Sequence, residues 1–314
     1  MSQTIDLGNT NVVSFNGQEV EILRLNGVSI WQKFTGSKDL VYNVSFTSEN
    51  YKSPTLKFTK QDTQPTTISW GDGSAVETIS TSGTQAVNHT YSSIGDYTIT
   101  ISGDGKINID AGALGSQYND ADDMGYPKSL KGLIIGSIVD RIENSAFQNS
   151  YMQTLIAHSN ITYIGDLNWS NSNDNVLQEY ISENVTIYYF VAEDNETKYA
   201  VRSGYATSGN TRIPEGTILL SENLFSVSTT NVIVPSSVKY FCKKCLNSTG
   251  DLIFNQPLGM EVFLPEAGDG TGLSYSKNAV ERNIYTDNET IKNYNWAGDN
   301  ITATLYHLDG TLWG

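Results

Sequence analysis

The sequence predicts a mainly β protein, and three observations support this prediction. Gly, Asn, Ser and Thr are plentiful while charged residues make up only 17%, a balance that suits short strands and tight turns better than long surface helices. Apolar and polar residues alternate over many short runs. Hydrophobic residues still reach 38%, with 18 Tyr, 10 Phe and 5 Trp, which is enough to build cores in a chain of 314 residues.

The pattern of strands and turns changes along the chain and predicts four regions. Residues 1–37 are predicted to form an N-terminal strand module, and residues 38–112 a β-sandwich. Residues 113–127 are predicted to be an acidic linker. Residues 128–314 are predicted to form an irregular β-solenoid of short repeats.

The charge balance argues against two classes of partner. The net charge is −15 and the isoelectric point is near 4.5, whereas nucleic-acid binding requires basic stripes that replace counterions. No apolar run approaches the length of a membrane span. The first residues lack a basic start and an apolar stretch, so no secretory signal peptide is expected.

Two Asn-Gly pairs organise the N-terminal module. Asn16-Gly17 and Asn26-Gly27 lie one strand length apart, and Asn-Gly suits a type I′ hairpin turn because both central residues need positive φ. The flanking apolar residues predict a three-stranded meander. A meander of this size is not stable alone, so it is expected to dock on a neighbour or on another subunit.

Residues 11–34 resemble a short module that recurs near a terminus of bacteriophage virion proteins, in which two Asn-Gly pairs enclose a strand and Ile30-Trp31 follows. The resemblance implies that these strands bind other virion proteins. It also implies that the chain leaves the cell inside an assembled particle. An ordinary pair of β-hairpins is the alternative interpretation of the same pattern.

Seven short strand-like runs follow at the spacing of a β-sandwich. In the run 97–101, Tyr97, Ile99 and Ile101 alternate with outward Thr residues, which is typical of a half-buried antiparallel strand. The predicted strands are Leu40–Phe46, Thr55–Phe58, Thr66–Trp70, Val76–Ile79, Ala86–Tyr91, Tyr97–Ile101 and Ile107–Ile109.

The most informative pattern of this region begins at Trp70-Gly71-Asp72-Gly73 and continues through His89-Thr90-Tyr91 to Gly95-Asp96-Tyr97. The two glycines permit a chain reversal that residues with a β-carbon would resist. The whole pattern is similar to the PKD domain, an immunoglobulin-like module of extracellular and viral surface proteins. The resemblance implies adhesion or spacing without chemistry. The implied framework residues are Trp70, His89, Tyr91, Gly95 and Tyr97.

From Pro127 onward a different sequence pattern recurs. Each unit has a short apolar strand, a turn, a second apolar pair, and then a small residue followed by Phe or Leu. Ala146-Phe147 ends one unit, Val234-Pro235 opens another, and Cys245-Leu246 stands where Ala-Phe is expected. The pattern resembles the BspA-type leucine-rich repeat of bacterial surface antigens, which implies adhesion across a repeat face. Residues 166–230 depart from the pattern. An irregular β domain with coincidental spacing is the alternative.

No motif of a catalytic or cofactor site is found, so no catalytic residue and no cofactor are predicted. His89 lacks the partner and the nucleophile that a general base needs. Cys242 and Cys245 form a single CxxC without the further ligands of a zinc site, and core positions are expected for them.

The acidic run offers only weak metal candidates. Asp120, Asp122 and Asp123 could supply oxygen ligands to Ca²⁺, but the Gly and distal Glu of an EF-hand loop are missing. A solvated linker is the expected interpretation of this run.

Together these features predict a non-enzymatic structural and binding protein of a bacteriophage particle: a capsid decoration, a head fibre or a tail component. It would assemble into the virion in the bacterial host cytoplasm, form a homo-oligomer, and present adhesive domains to a host-surface protein or glycan. Two alternatives stay open. One is a bacterial cell-surface adhesin, and the other is a virion-associated carbohydrate-active enzyme.

Overall fold

The computed structural model describes two compact units, Met1–Ser37 and Lys38–Gly314, and it confirms the prediction of a mainly β protein. No helix among the described residues is both long and apolar enough to span a bilayer. The described residues are the strands between 13 and 32, followed by 38–47, 52–116, 129–147, 152–158, 160–167, 176–182, 185–204, 209–225, 231–247, 250–267, 272–274 and 280–313.

The first unit contains four short strands that pair as two hairpins, whereas the sequence predicted one three-stranded meander. Phe15 pairs with Gln18 in the first hairpin and Leu25 with Val28 in the second, so each pairing encloses one Asn-Gly pair of the sequence. A register shift between Leu23 and Arg24 interrupts the second hairpin, where the apolar alternation changes phase. The strands are β1 (Val13–Phe15), β2 (Gln18–Val20), β3 (Ile22–Leu25) and β4 (Val28–Gln32).

The second unit begins with seven strands whose positions follow the predicted runs closely. The last of them continues beyond the predicted end of the sandwich, into the segment predicted as a linker. Ala113 and Leu114 of this extension are buried in the hydrophobic core of the second unit. The strands are β5 (Leu40–Phe46), β6 (Pro54–Lys60), β7 (Thr66–Ser69), β8 (Glu77–Ile79), β9 (Gly83–Asn88), β10 (Gly95–Gly103) and β11 (Ile107–Ser116).

These strands divide between two sheets. In β5 every second residue from Leu40 to Phe46 is buried, so one face of the strand lies in the core. One sheet contains β5, β10, β7 and β8, and the other contains β11, β6 and β9. A single apolar cluster joins the two, with Tyr42, Phe58, Trp70 and Ile101 almost completely buried.

The repeat region extends these two sheets. Ile135 of the next strand pairs with Leu40 antiparallel, and Leu133 pairs with Leu155 of the following coil in parallel. Ile142 likewise pairs with Ile109 and with Ile164 in parallel. The strands are β12 (Leu130–Ile135), β13 (Val139–Ile142), β14 (Thr154–Ala157) and β15 (Tyr163–Ile164).

Three antiparallel strands within 178–203, which we call the antiparallel excursion, interrupt the parallel stack. The parallel pairing then resumes. From there to the C-terminal part, neighbouring coils pair in parallel in two sheets. This part of the chain has a solenoid-like arrangement. The excursion is β16 (Gln178–Ser182), β17 (Val185–Val191) and β18 (Lys198–Ser203). The resumed stack is β19 (Asn210–Arg212), β20 (Thr217–Leu220), β21 (Asn231–Val234), β22 (Tyr240–Phe241), β23 (Leu252–Phe254), β24 (Val280–Thr286) and β25 (Ile301–Tyr306).

One type of turn recurs along the stack and explains why each repeat unit ends in a small residue followed by Phe or Leu. Ser145, Asn223 and Lys244 each adopt a left-handed backbone with φ between 55° and 58°. After each of them comes a small or apolar residue and then a buried Phe or Leu, because the turn directs both side chains into the core. The three segments are 142–147, 220–225 and 241–246.

The turn at Asn223 lies in the stretch 166–230, which the sequence pattern left outside the repeats. Residues 209–225 form a coil there, with Pro214 accepting a hydrogen bond from Thr217 as Pro235 does from Val238. The antiparallel excursion within 178–203 is the part that departs from the repeat.

The C-terminal end of the stack carries two short helical turns, α1 (Glu289–Lys292) and a 3₁₀ turn (Trp296–Asp299). The side chain of Asn288 caps α1 by accepting from the backbone of Thr290 and Ile291. Asp299 is buried and accepts from the hydroxyl of Tyr294 at 2.9 Å and from the backbone of Ser274 at 3.2 Å, and Ser274 in turn donates to the carbonyl of Leu246 in the stack. This carboxylate therefore ties the last turn to the stack.

Candidate binding groove on the repeat stack

Two rows of strand positions, one in each of two sheets, carry large side chains on the outer side of the stack. Arg141 is in register with Tyr163, and Tyr240 is in register with both Leu219 and Phe263. In a parallel sheet, residues in register stand beside one another on the same face. Four of the five side chains are aromatic or guanidinium, and Leu219 is completely buried.

The large side chains of these two rows form two stacks, one in each row. The guanidinium carbon of Arg141 lies 3.9 Å from the ring centre of Tyr163, a cation–π contact. The rings of Tyr240 and Phe263 are 5.0 Å apart and inclined by only 13°. Each ring therefore has one face covered by its neighbour, and Phe263 keeps 46% of its surface exposed.

Both stacks line the same cavity, which has a volume of about 400 Å³. Thr162 and the Leu264-Pro265-Glu266 segment complete its wall with polar and apolar groups. A pocket of this size suits a small ligand or one unit of a polymer. The lining residues are Arg141, Thr162, Tyr163, Tyr240, Phe241, Cys242, Lys243, Phe263, Leu264, Pro265 and Glu266.

A second cavity, of about 500 Å³, lies against the same segment. Residues 263–266 line both cavities and so form a ridge between them. The wall of the second cavity includes Thr290, Asn293 and Asn295, which are uncharged, exposed and able to donate and accept hydrogen bonds. We call the two cavities and the ridge the repeat groove.

The polar groups of the first cavity are held in fixed positions. The hydroxyl of Tyr163 donates to Oε2 of Glu222 at 2.7 Å, and Nε of Arg141 donates to Oε1 of Glu143 at 3.2 Å. Burial raises the pKa of Tyr163 well above its usual range, and the hydrogen bond to Glu222 raises it further. Glu143 compensates the charge of Arg141. Lys243 is exposed at the rim of the cavity.

The residues carried over from the PKD resemblance lie elsewhere, around one edge of the first two sheets. Trp70 is 1% exposed and stacks on His89 with ring centres 4.6 Å apart. The ring of Tyr91 contacts His89 and stacks on Tyr97 at 4.0 Å. The side chains of Trp70, His89, Tyr91 and Tyr97 therefore pack as one continuous aromatic cluster.

The glycine turn beside this cluster has a steric reason. Gly71 and Gly73 have φ of +77° and +83°, and a β-carbon at Gly71 would lie 2.4 Å from the carbonyl oxygen of Thr98. Asp72, between them, contacts Nε2 of His89 at 2.8 Å and accepts from the backbone of Ser74. Gly95 begins β10 with φ of +152°.

The remaining predicted residues are distributed as follows. Ala146, Phe147 and Pro235 are buried in the repeat turns. Cys242 and Cys245 are free and buried in the core. The weak calcium candidates Asp120, Asp122 and Asp123 lie outside the described residues.

Each of the three histidines of the chain has a carboxylate neighbour: His89 has Asp72, His158 has Glu193, and His307 has Asp287. Within the described ranges, no group of three or more His, Cys, Asp or Glu side chains could hold a metal ion.

A second polar cluster surrounds His158. Nε2 of His158 lies 3.3 Å from Oε1 of Glu193, and burial raises the pKa of Glu193. Nδ1 of His158, Oε2 of Glu193 and Oδ1 of Asn160 are buried without a hydrogen-bond partner among the described residues. The cluster fastens β14 to the antiparallel excursion, where Ala157 and Ala192 form a bridge.

Sequence reasoning missed Arg141, Tyr163, Tyr240 and Phe263 as residues of one cavity. A signal was present, because each of the first three stands immediately before the buried apolar residue of its repeat: Ile142, Ile164 and Phe241. Aligning the coils on that residue places the three side chains at one position. Phe263 could not be aligned in this way, since no small residue followed by Phe or Leu comes after it at the spacing seen from Arg141 to Ala146-Phe147.

The fold is thus a β stack with a groove on one face, and the groove combines flat apolar surfaces with fixed polar groups. No family model, curated protein or solved structure matches the chain.

Proposed function

We propose that the chain is a non-enzymatic structural and adhesive protein of a bacteriophage particle, which presents the repeat groove to a host surface. The observation that carries the adhesive part is the groove itself. Exposed Phe263, stacked Tyr240 and the hydrogen-bonding groups around them form a surface suited to holding a ligand. In the groove, Glu143 accepts a hydrogen bond from Arg141 and Glu222 accepts one from Tyr163. Because both carboxylates are engaged in this way, the arrangement favours ligand binding over proton transfer.

The particle location is supported by the resemblance of residues 11–34 to a module of virion proteins and by the pairing of the first unit. Two-stranded hairpins are marginal in water, so β1–β4 would gain stability by adding strands from a partner. Pairing with another copy or with a capsid or tail protein would provide them. The PKD-like interpretation of residues 38–112 and the BspA-like interpretation of the repeats are consistent with display on a surface.

Mass spectrometry of purified particles from the source culture tests the location. The chain is expected among the particle proteins, in a copy number that exceeds one per particle. Its absence from intact particles would remove the virion proposal. The variant Val20→Pro, which removes a backbone donor from β2, is expected to reduce incorporation, whereas Thr304→Pro near the C-terminus serves as a comparison outside the first unit.

Adsorption of the purified chain to host cells tests the adhesive part. The fluorescently labelled chain is expected to bind the bacterium that the particle infects, and multivalent display is expected to strengthen the binding through avidity. Equal adsorption to resistant bacteria that lack the surface component would contradict specific host contact.

A further inference from the structure

We infer that the repeat groove binds an extended saccharide, with one sugar ring stacked beside Tyr240 and Phe263 and the chain continuing across the ridge into the second cavity. This inference rests on the proposed adhesive function and assigns its ligand class. It is carried by the shape, charge and hydrogen-bonding groups of the groove.

The first argument is the pair of stacked surfaces in the first cavity. Arg141 and Tyr163 form one stack and Tyr240 and Phe263 form the other, and both stacks line one cavity. Phe263 keeps 46% of its surface exposed, so a ligand in the cavity can contact an aromatic ring. A sugar ring has an apolar face of C–H groups that packs on such a ring.

The second argument is the polar edge of the groove. A sugar ring carries hydroxyl groups around its rim, and these require both donors and acceptors. In the first cavity Thr162 and Glu266 supply such groups, and in the second Thr290, Asn293 and Asn295 do so. A rim that offers both donors and acceptors beside an exposed aromatic ring matches a saccharide.

The third argument is the charge, which disfavours the other polymers. Two cations line the groove, Lys243 at the rim and Arg141, which is paired with Glu143, and the chain as a whole carries a net charge of −15. A nucleic acid or a densely sulfated glycan needs a run of cations along the groove. The groove instead suits a neutral or weakly charged saccharide.

The fourth argument is the ridge. Phe263, Leu264, Pro265 and Glu266 line both cavities, so a ligand seated in one cavity reaches the other by crossing four residues. Pro265 restricts the backbone of this segment. A rigid ridge with a cavity on each side fits a chain of several sugar units better than an isolated monosaccharide.

The test uses the full chain on an array of oligosaccharides of defined sequence, built from hexose, N-acetylhexosamine and uronic-acid units, with a random peptide array beside it. Binding to at least one oligosaccharide class is expected, with longer chains bound more tightly than their single units. The recovered oligosaccharide is expected to be uncleaved.

Three variants locate the binding. Phe263→Ala and Tyr240→Ala are expected to weaken it by about tenfold or more, because each removes a stacking surface. Tyr306→Ala is the matched control: Tyr285 and Tyr306 also stack in register, at 5.0 Å, but neither residue lines the groove. Near-native circular dichroism of all three variants is part of the measurement.

Three outcomes would overturn the inference: no oligosaccharide binds, binding is unchanged in both groove variants, or Tyr306→Ala weakens it equally. Groove-dependent capture of peptides alone would identify a protein ligand instead. If labelled chain still adsorbs to host cells while the array result is negative, the adhesive proposal stands and only the saccharide assignment falls. If the array result is positive but the chain is absent from particles, the saccharide site stands and the virion proposal falls.

Discussion

The hydroxyl of Tyr91 donates a hydrogen bond to the backbone carbonyl of Trp70 at 2.9 Å, inside the core of the first two sheets. Both side chains are almost completely buried. The bond fastens the segment after β9 to the end of β7, and it satisfies a carbonyl that water does not reach. A buried acceptor without a partner is costly, which makes this pair sensitive to substitution.

Replacing Tyr91 by Phe is expected to destabilise the protein by about 1–3 kcal/mol, because the carbonyl of Trp70 loses its donor while the ring is retained. The measurement is the midpoint of urea unfolding. Tyr97→Phe is the matched control, since the hydroxyl of Tyr97 donates to Ser93 at an exposed position. Equal losses in the two variants would show that burial of the carbonyl is not the cause.

The left-handed residue of the repeat turn provides a second prediction. Lys244→Val is expected to lower stability by about 1–2 kcal/mol or more, because a β-branched residue resists φ of +55°. Lys244→Gly, which accepts this backbone freely, is expected to retain or slightly raise the thermal midpoint. The control Lys239→Val lies at an exposed position of the same coil. Equal thermal midpoints for Lys244→Val and Lys244→Gly would contradict this explanation.

A third prediction concerns acid. Hydrogen bonds from Ser74, followed by the contact with His89, lower the pKa of Asp72 from 3.8 to about 2. The folded pKa is the lower one, so the ionised carboxylate stabilises the fold fully above pH 3.8, and this contribution is lost as the pH falls towards about 2. Asp72→Asn is therefore expected to be less stable than the parent at neutral pH, with a difference that shrinks across this acidic range. Thermal unfolding against pH measures it.

The control for the acid prediction is Asp104→Asn, whose exposed carboxylate pairs with Lys38 at the surface. That variant is expected to stay close to the parent at every pH. A gap between Asp72→Asn and the parent that stays constant down to about pH 2 would argue against the role of the carboxylate charge.

The two cysteines give a fourth prediction. Burial raises the pKa of both thiols, so the reactive thiolate is scarce at neutral pH. Neither Cys242 nor Cys245 is expected to react with a chromogenic disulfide reagent in the native protein within the time that both react in denaturant. Rapid labelling of either thiol under native conditions would show that the core opens at the repeat turn.

Much of the fold could be predicted from local sequence. The strand β5 lies at its predicted bounds, and β10 contains the predicted alternation of Ile99 and Ile101, because a half-buried strand imposes period two on its own residues. The turns around Ala146-Phe147 and Cys245-Leu246 could be recognised because a left-handed residue followed by two buried ones is a local pattern.

The groove could not be predicted in the same way. Register aligns Arg141 with Tyr163 in one sheet and Tyr240 with Phe263 in another, and only the packing of these two sheets brings all four side chains to one cavity. The excursion within 178–203 separates the second and third coils in sequence, and it obscured the repeat on its C-terminal side. The division of the first unit into two hairpins instead of one meander also depends on pairing that the Asn-Gly pattern does not determine.

The antiparallel pairing of Leu40 with Ile135, followed by the parallel pairing of Leu133 with Leu155, has a mechanical consequence. The junction between the first two sheets and the repeats is a ladder of backbone hydrogen bonds over a shared core. Tension applied along the strands loads these bonds side by side in shear, so many must break together. A load applied to the repeats along the strand direction is therefore transmitted to the first two sheets of the second unit without first unravelling the junction.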